Sequence, residues 1–271
     1  MSLQLILSLN SMKLECPEKG HMKNLAIVTF TRPEAMNAMN QDFFADFETL
    51  LKEISKPQSP YRALLITAEG PGFCAGADLK EQADGFPPDL GDMLRKNYNP
   101  LIMGLKSLPI PTVAAVNGVA AGAGMSIVAA CDISLAANSS LFLQAFVNIA
   151  LVPDAGSSFF LPRMVGRARA AKMMMLGEKI PASEAYEMGL VSQLVEDENL
   201  FEEALAVAQK FANGPTSAFV QIRQLLDQSD NNTLEQQMEA EATAQQTAGH
   251  SGDFAEGVSA FLQKRPPVFK G

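Results

Sequence analysis

The chain has 271 residues, 47% of them apolar, and a net charge of −9 from 21 Lys and Arg against 30 Asp and Glu. That suits one large domain, or one domain with a smaller appendage, around a substantial core. The acidic balance argues against nucleic acid and anionic membrane surfaces as partners, and leaves room for a phosphorylated ligand held by a few local cations. The three cysteines, Cys16, Cys74 and Cys131, are odd in number and lack metal spacing, which predicts a reducing, cytoplasmic setting. His21 and His250 lie far apart in polar segments, so no metal centre or His-based triad is expected. No apolar run reaches the roughly 20 residues of a membrane span.

The first nine residues lack a basic stretch and predict an extra strand or a leader, not a secretory signal. The last four, Val268 to Gly271, carry no peroxisomal or prenylation signal. Leu25 to Phe30 reads as a strand that Arg32-Pro33-Glu34 breaks. Asn40 then caps a helix whose Phe43, Phe44, Phe47, Leu50, Leu51 and Ile54 share a face, and Pro57 and Pro60 end it. Arg62 to Ala68 is a second strand. It runs through the turn Glu69-Gly70-Pro71-Gly72 into Phe73-Cys74-Ala75-Gly76-Ala77-Asp78-Leu79-Lys80-Glu81, a strand exit followed by small residues and a helix start. Residues 83–89 read as a loop, and a helix from about Met93 to Leu105 follows.

Pro111 to Val116 is a buried apolar strand leading into Asn117-Gly118-Val119-Ala120-Ala121-Gly122-Ala123-Gly124, and an apolar helix then runs to Cys131-Asp132. Strand, small-residue turn and helix N-terminus leave backbone N–H groups unpaired beside a partial positive charge, a place for an anion or an oxyanion. Glycine in a turn also serves close packing alone, and both readings stand for this stretch by itself. Strands at Ile133–Ala137 and Leu141–Gln144 come next, then a turn through Pro153-Asp154-Ala155-Gly156 into a helix near Ser157. A helix from Arg163 to Leu176 stops at Gly177, another runs from Ser183 to Gly189, and Gly189 to Val195 is the last strand. Beyond Leu200 the pattern is helical, with a stop at Asn213-Gly214-Pro215, a capping box at Thr233 to Gln236, and a final helix from Asp253 to just before Pro266. Strands and helices alternate to about residue 196, and helices alone follow.

Three segments in this order, Arg32-Pro33-Glu34-Ala35-Met36-Asn37-Ala38-Met39, Phe73 through Lys80, and Val116-Asn117-Gly118 through Cys131-Asp132, resemble the crotonase (enoyl-CoA hydratase/isomerase) superfamily. The ending Gly257 through Arg265 is similar too, so the resemblance spans about residues 13–265. It implies an α/β fold: a spiral of ββα turns over residues 1–198, with 1–12 a possible leader, and a helical trimerisation region over 199–271. It implies an acyl-CoA thioester as ligand, no cofactor beyond the coenzyme A of the substrate, and a homotrimer or a dimer of trimers. It also implies that the backbone N–H groups of Ala77 and Ala123 bind the thioester oxygen, with Ala75, Ala77, Asp78, Leu79, Lys80 and Ala123 against the substrate. Lys80, Arg32 and Lys264, the last from a neighbouring subunit, are candidates for the phosphates, each equally at home on a solvated surface.

The sequence departs from the hydratases of that superfamily. Their two glutamates fall here on Ser126 and Phe146, and hydration needs one group for the water and another for the carbon. An acid does appear at Asp154, where isomerases of the superfamily place one. Together with Gly122-Ala123-Gly124 and Leu161-Pro162-Arg163, that segment resembles the branch holding 1,2-epoxyphenylacetyl-CoA isomerases and Δ3,Δ2-enoyl-CoA isomerases, enzymes of fatty or aromatic acid breakdown. The expectation is an isomerase in which Asp154 removes a proton and returns it elsewhere, its pKa raised by Phe146, Ile149 and Leu151. Aspartate at that spacing also makes a good helix N-cap. The rival acids Asp78 and Glu81 read as a cap or ligand contact and as a solvated face. Ser126, Cys74, Cys131 and Met173-Met174-Met175 read as structural, the methionines with some prospect of lining an acyl pocket. A hydratase with an atypical acid, a relative using the aspartate as nucleophile, and a non-catalytic acyl-CoA binder are the alternatives.

Overall fold

The computed structural model describes residues 2–18, 24–80 and 89–271. His21, Glu81 and the loop predicted over 83–88 lie outside the described residues.

A seven-stranded sheet runs in the order β1 (Leu3–Ser8), β2 (Met12–Pro17), β3 (Leu25–Phe30), β4 (Ala63–Ala68), β6 (Thr112–Val116), β8 (Ile133–Ala137), β11 (Gln193–Val195). β1, β2 and β3 form an antiparallel meander, and β3 onward is parallel. The second sheet has the order β10 (Lys179–Pro181), β9 (Leu141–Leu143), β7 (Val119–Ala121), β5 (Gly72–Cys74). Each of three successive units sends its first strand to the large sheet and its second to the small one: β4 then β5, β6 then β7, β8 then β9. That repeat is the ββα spiral expected from the sequence. The parallel strands are short apolar runs because both of their faces are covered.

Helix α1 (Gln41–Ile54) starts where Asn40 accepts from the Phe43 N–H, as expected. Its Phe43 meets Phe30 at 4.9 Å between ring centroids, and Phe73 of β5 meets Phe30 at 5.5 Å. Burying each such ring is worth about 1.5–3 kcal/mol. These aromatic groups, with the buried residues of α3 (Asn99–Lys106) and α4 (Ala123–Ala130), fill the space on one side of the large sheet. The other side is covered by α8 (Leu200–Ala212), whose Leu200, Ala204, Leu205, Ala208 and Ala212 pack on Leu25, Ile27, Leu65, Val113 and Leu135. The division expected at residue 198 thus falls just before a helix that is itself packed across the strands.

Several elements differ from the expectation. Residues 3–8 form the extra strand that is one of the two expectations, and their partner β2, Met12-Lys13-Leu14-Glu15-Cys16-Pro17 with alternating burial, is a strand that was not expected. The helix expected near Ser157 is α5 (Ser157–Val165), and the one expected over 163–176 starts later, as α6 (Arg167–Leu176), because Gly166 takes φ 79° and ψ 158°. The last strand is three residues instead of seven. The helix expected from Met93 begins as α2 (Leu90–Met93) and passes through a π-helical turn, Leu94–Tyr98, before α3.

The remaining helices, α7 (Ala182–Glu187), α9 (Thr216–Ser229), α10 (Leu234–Gly249) and α11 (Gly252–Leu262), complete the chain. Arg223 of α9 is the tie. Its guanidinium, 7% exposed, reaches Asp132 at 2.7 and 2.8 Å and donates to the carbonyls of Lys106, Leu108 and Ile110. Asp132 also accepts from the Thr112 N–H. The aspartate that closes the small-residue stretch is therefore a structural clasp.

Candidate active site

Two backbone turns meet at one end of the small sheet. In the first, Met39 forms a single parallel bridge with Ala77. The Met39 N–H donates to the Gly76 carbonyl at 2.7 Å, and the Asp78 N–H donates to the Met39 carbonyl at 3.0 Å. Successive peptide groups of an extended segment point to opposite sides, so the Ala77 N–H faces away from Met39. It donates to no acceptor among the described residues. In the second turn, Gly122 donates to the Leu143 carbonyl at 2.8 Å and takes φ 51° and ψ −124°. Ala123 follows as the first residue of α4, where an N–H has no intrahelical acceptor. It too donates to none among the described residues.

Glycines let the turns touch. A Cβ on Gly76, at φ +86°, would stand 2.9 Å from the Ala121 carbonyl oxygen and 3.6 Å from the Ala123 nitrogen. A Cβ on Gly124 would stand 2.2 Å from the Cys74 carbonyl oxygen. Both contacts are with backbone, so only glycine brings the start of α4 against the end of β5. These glycines thus serve the close packing of the two turns that carry the Ala77 and Ala123 N–H groups.

Both turns open on a cavity of roughly 490 Å3. Ala75, Gly76, Ala77, Leu79, Gly122 and Ala123 line one part, and Phe146, Ile149, Leu151 and Asp154 another, with Leu90, Met93, Leu94 and Tyr98 closing it. Asp154 is the only carboxylate among the described residues lining it. Helix α5 is capped by Gly156 without any side-chain bond. Asp154 contributes only its carbonyl, to the Ser157 N–H at 2.9 Å. Its carboxylate atom Oδ1 is buried and has no partner, so the aspartate is not the cap its spacing allowed. The turn beyond it is left-handed at two consecutive residues, Ala155 (φ 48°) and Gly156 (φ 80°). Strain at a non-glycine residue of this kind concentrates at functional sites. Burial among apolar neighbours pushes the Asp154 carboxyl up from 3.8 to about 6, the direction expected when the charged form loses water.

The other predicted residues divide. Ala75, Ala77, Leu79 and Ala123 line the cavity; Asp78 and Lys80 are not among its lining. Asp78 pairs with Arg32 at 3.0 Å and accepts the Lys80 N–H, so Arg32, a phosphate candidate by sequence, is engaged inside the protein through Asp78 and the Ala38 carbonyl. Lys80 and Lys264 are exposed. Ser126 is buried and shares a hydrogen bond with Ser157 at 2.8 Å. Burial is the largest cause holding the Cys74 and Cys131 thiols up at about 12, which removes them as nucleophiles at neutral pH. Met173, Met174 and Met175 do not line this cavity. The group missed by the sequence reading is Tyr98, delivered by the π turn.

The sequence model of the enoyl-CoA hydratase/isomerase family matches residues 20–271. The 1,2-epoxyphenylacetyl-CoA isomerase of Escherichia coli is 42% identical over 92% of this chain and 96% of its own. A protein of Rhodobacter capsulatus named as a probable enoyl-CoA hydratase is also 42% identical, over 92% and 95%. The crystal structure of an enoyl-CoA hydratase from Bacillus anthracis superposes with a TM-score of 0.89 at 28% identity, covering 97% of this chain and all of the other. With its ββα spiral and its paired N–H turns, the chain belongs to the enoyl-CoA hydratase/isomerase family.

Proposed function

We propose that this protein is an acyl-CoA isomerase in which Asp154 shuttles a proton and the Ala77 and Ala123 N–H groups hold the thioester oxygen. The observation that carries the reading is the buried, unpartnered Oδ1 of Asp154, the one carboxylate among the described residues lining the cavity. A thioester placed with its oxygen between the two N–H groups becomes acidic at the α-carbon, because the enolate charge meets donors already in place. Ionised Asp154 removes a proton from one carbon, forming the carboxylic acid and the enolate. The same acid then returns the proton to another carbon, and the double bond or the ring system shifts. Substrate and product have the same composition, and one base suffices. A pKa of about 6 suits both halves, since the group is mostly ionised at pH 7 yet is a competent acid once protonated.

Loss of turnover in Asp154→Asn, with binding of a CoA ester retained, is the expected result; an active variant refutes the role. A second reading, hydration of a 2-enoyl thioester, has the equally similar hydratase-named relative in its favour. Incubation in labelled water separates the two, because only hydration puts labelled oxygen on the β-carbon. Ser126 is held by Ser157 and Phe146 is a hydrocarbon wall, and neither supplies the second acid that reaction needs.

The same reading includes assembly as a homotrimer or a dimer of trimers. The exposed Phe261 and Leu262 of α11 and Leu234 and Met238 of α10 support it, since apolar groups of that size cluster at interfaces.

A further inference from the structure

The proton shuttle gives no task to Tyr98, a chemically equipped side chain of the cavity. Tyr98 lines the cavity and is 3% exposed. It closes the π-helical turn Leu94–Tyr98; such a turn re-aims the side chains of a helix and recurs at functional sites. Its ring packs edge-on against Phe44, 4.7 Å between centroids, which fixes the ring plane. Its hydroxyl makes no hydrogen bond to the described residues and, unlike Asp154 Oδ1, is not shut away from solvent, so water in the cavity is the partner a tyrosine hydroxyl normally requires. If packing were its only role, phenylalanine would serve, as it does at the adjacent Phe43 and Phe44. Burial, and then the charge of Asp154, raise its pKa, so the phenol stays a donor at any working pH. Two polar groups, the cavity-facing Tyr98 hydroxyl and the buried Asp154 Oδ1, thus border one cavity without a hydrogen bond from the described residues.

We propose that Tyr98 is a recognition residue whose hydroxyl donates a hydrogen bond to an oxygen atom carried by the acyl group, so that the preferred substrates are oxygen-bearing acyl thioesters, such as epoxides or hydroxylated rings. The proposal rests on the isomerase reading for its reaction but not for its binding. A purely hydrocarbon acyl group filling the cavity drives out water and leaves the phenol unpaired. A buried donor in that state weakens binding by roughly 10- to 100-fold against a ligand that supplies an acceptor.

The test compares phenylacetyl-CoA with 2-hydroxyphenylacetyl-CoA by isothermal titration calorimetry on the full-length wild type and Tyr98→Phe. The wild type is expected to bind the hydroxylated ester at least tenfold more tightly. In Tyr98→Phe that preference vanishes, chiefly because phenylacetyl-CoA binds more tightly once no phenol is left unpaired. Absence of the preference in the wild type, or its survival in the variant, overturns the proposal. An equal loss on both esters also overturns it, because it marks a packing role or an action through Asp154. Tyr98→Met, which also lacks the hydroxyl, replaces Tyr98→Phe should the latter misfold. Turnover of 1,2-epoxyphenylacetyl-CoA and of a 3-enoyl-CoA is measured alongside. Turnover of neither sinks the isomerase reading, while the binding pair still decides the role of Tyr98.

Discussion

Replacing Asp154 by asparagine should make the protein inactive and more stable, and the second effect is the more searching test. The carboxyl is raised from 3.8 to about 6 by burial, roughly two pKa units at ~1.4 kcal/mol each. The full figure of ~3 kcal/mol is an upper bound, because the side chain borders an open cavity; discounted by about half for solvent screening it is ~1.5 kcal/mol. The sign follows from linkage. The folded state binds this proton more tightly than the unfolded chain, so the ionised carboxylate costs stability above about pH 6, and the cost fades as pH falls toward 4. The asparagine carries no such ionisation. Its advantage over the wild type in urea denaturation should therefore be ~1.5 kcal/mol larger at pH 7.5 than at pH 4, about 3–6 °C in Tm for a chain of this size. The same variant should lose at least about 10³-fold in kcat, with the Kd of an unreactive CoA thioester unchanged within threefold. A stability difference independent of pH would show that the carboxylate is not desolvated. Retention of more than a tenth of the activity would show that it is not the base.

The acid limb of kcat/KM for the wild type should fall tenfold per pH unit below about pH 6, as Asp154 takes up a proton; a limb near 4 would point to a solvated acid instead. Gly76→Ala puts a methyl 2.9 Å from the Ala121 carbonyl at φ +86° and should cost roughly 10²-fold in kcat by spreading the two donors, read by steady-state kinetics against an unchanged far-UV spectrum. Arg223→Met strips Asp132 of its partner and should cost about 3–5 kcal/mol in chemical denaturation, with any surviving folded enzyme keeping its kcat. Phe261→Asp combined with Leu262→Asp should turn an oligomer into a monomer by light scattering; a wild type that already runs as a monomer rejects the assembly.

The spiral was legible because its parallel strands are apolar runs separated by Gly, Pro and Asn, and because the small-residue turns sit at fixed points after β4 and β6. Asp154 was legible as an acid in the right turn, but its choice between capping and chemistry was not. That choice depends on whether Gly156 can end the turn unaided, which only the φ of 80° reveals. Gly166 looked like any mid-helix glycine, and its φ of 79° moves the boundary between two expected helices from about 163 to 166. β10, only Lys179–Pro181, is a strand through pairing and not through pattern, whereas the alternating β2 was legible and overlooked. Tyr98 was hidden for a related reason: the periodicity of an α-helix misplaces a side chain by about 100° once a π turn adds a residue. Arg32 looked free as a cation until Asp78, 46 residues away in sequence, proved to hold it.

Phe146 ties the chemistry together. The resemblance puts it where a hydratase keeps a glutamate, and its ring lies 3.4 Å from the place a Cβ of Gly122 would occupy, against the turn that precedes α4. One substitution therefore does two things. It removes the acid that would manage a water molecule, and it puts hydrocarbon into the wall of the cavity that Asp154 borders. The loss of the second carboxylate also spares Asp154 a neighbouring negative charge, so its raised pKa comes from burial alone. A lone acid displaced toward neutrality by a dry wall can take a proton and give it back with little bias, whereas a fully solvated acid near 3.8 would be too weak a base. On this argument Phe146→Gln, a smaller polar side chain that readmits water, should move the acid limb of the rate profile down toward the ordinary carboxylate range and lower kcat. If the limb stays near 6, the dryness around Asp154 is set elsewhere in the cavity.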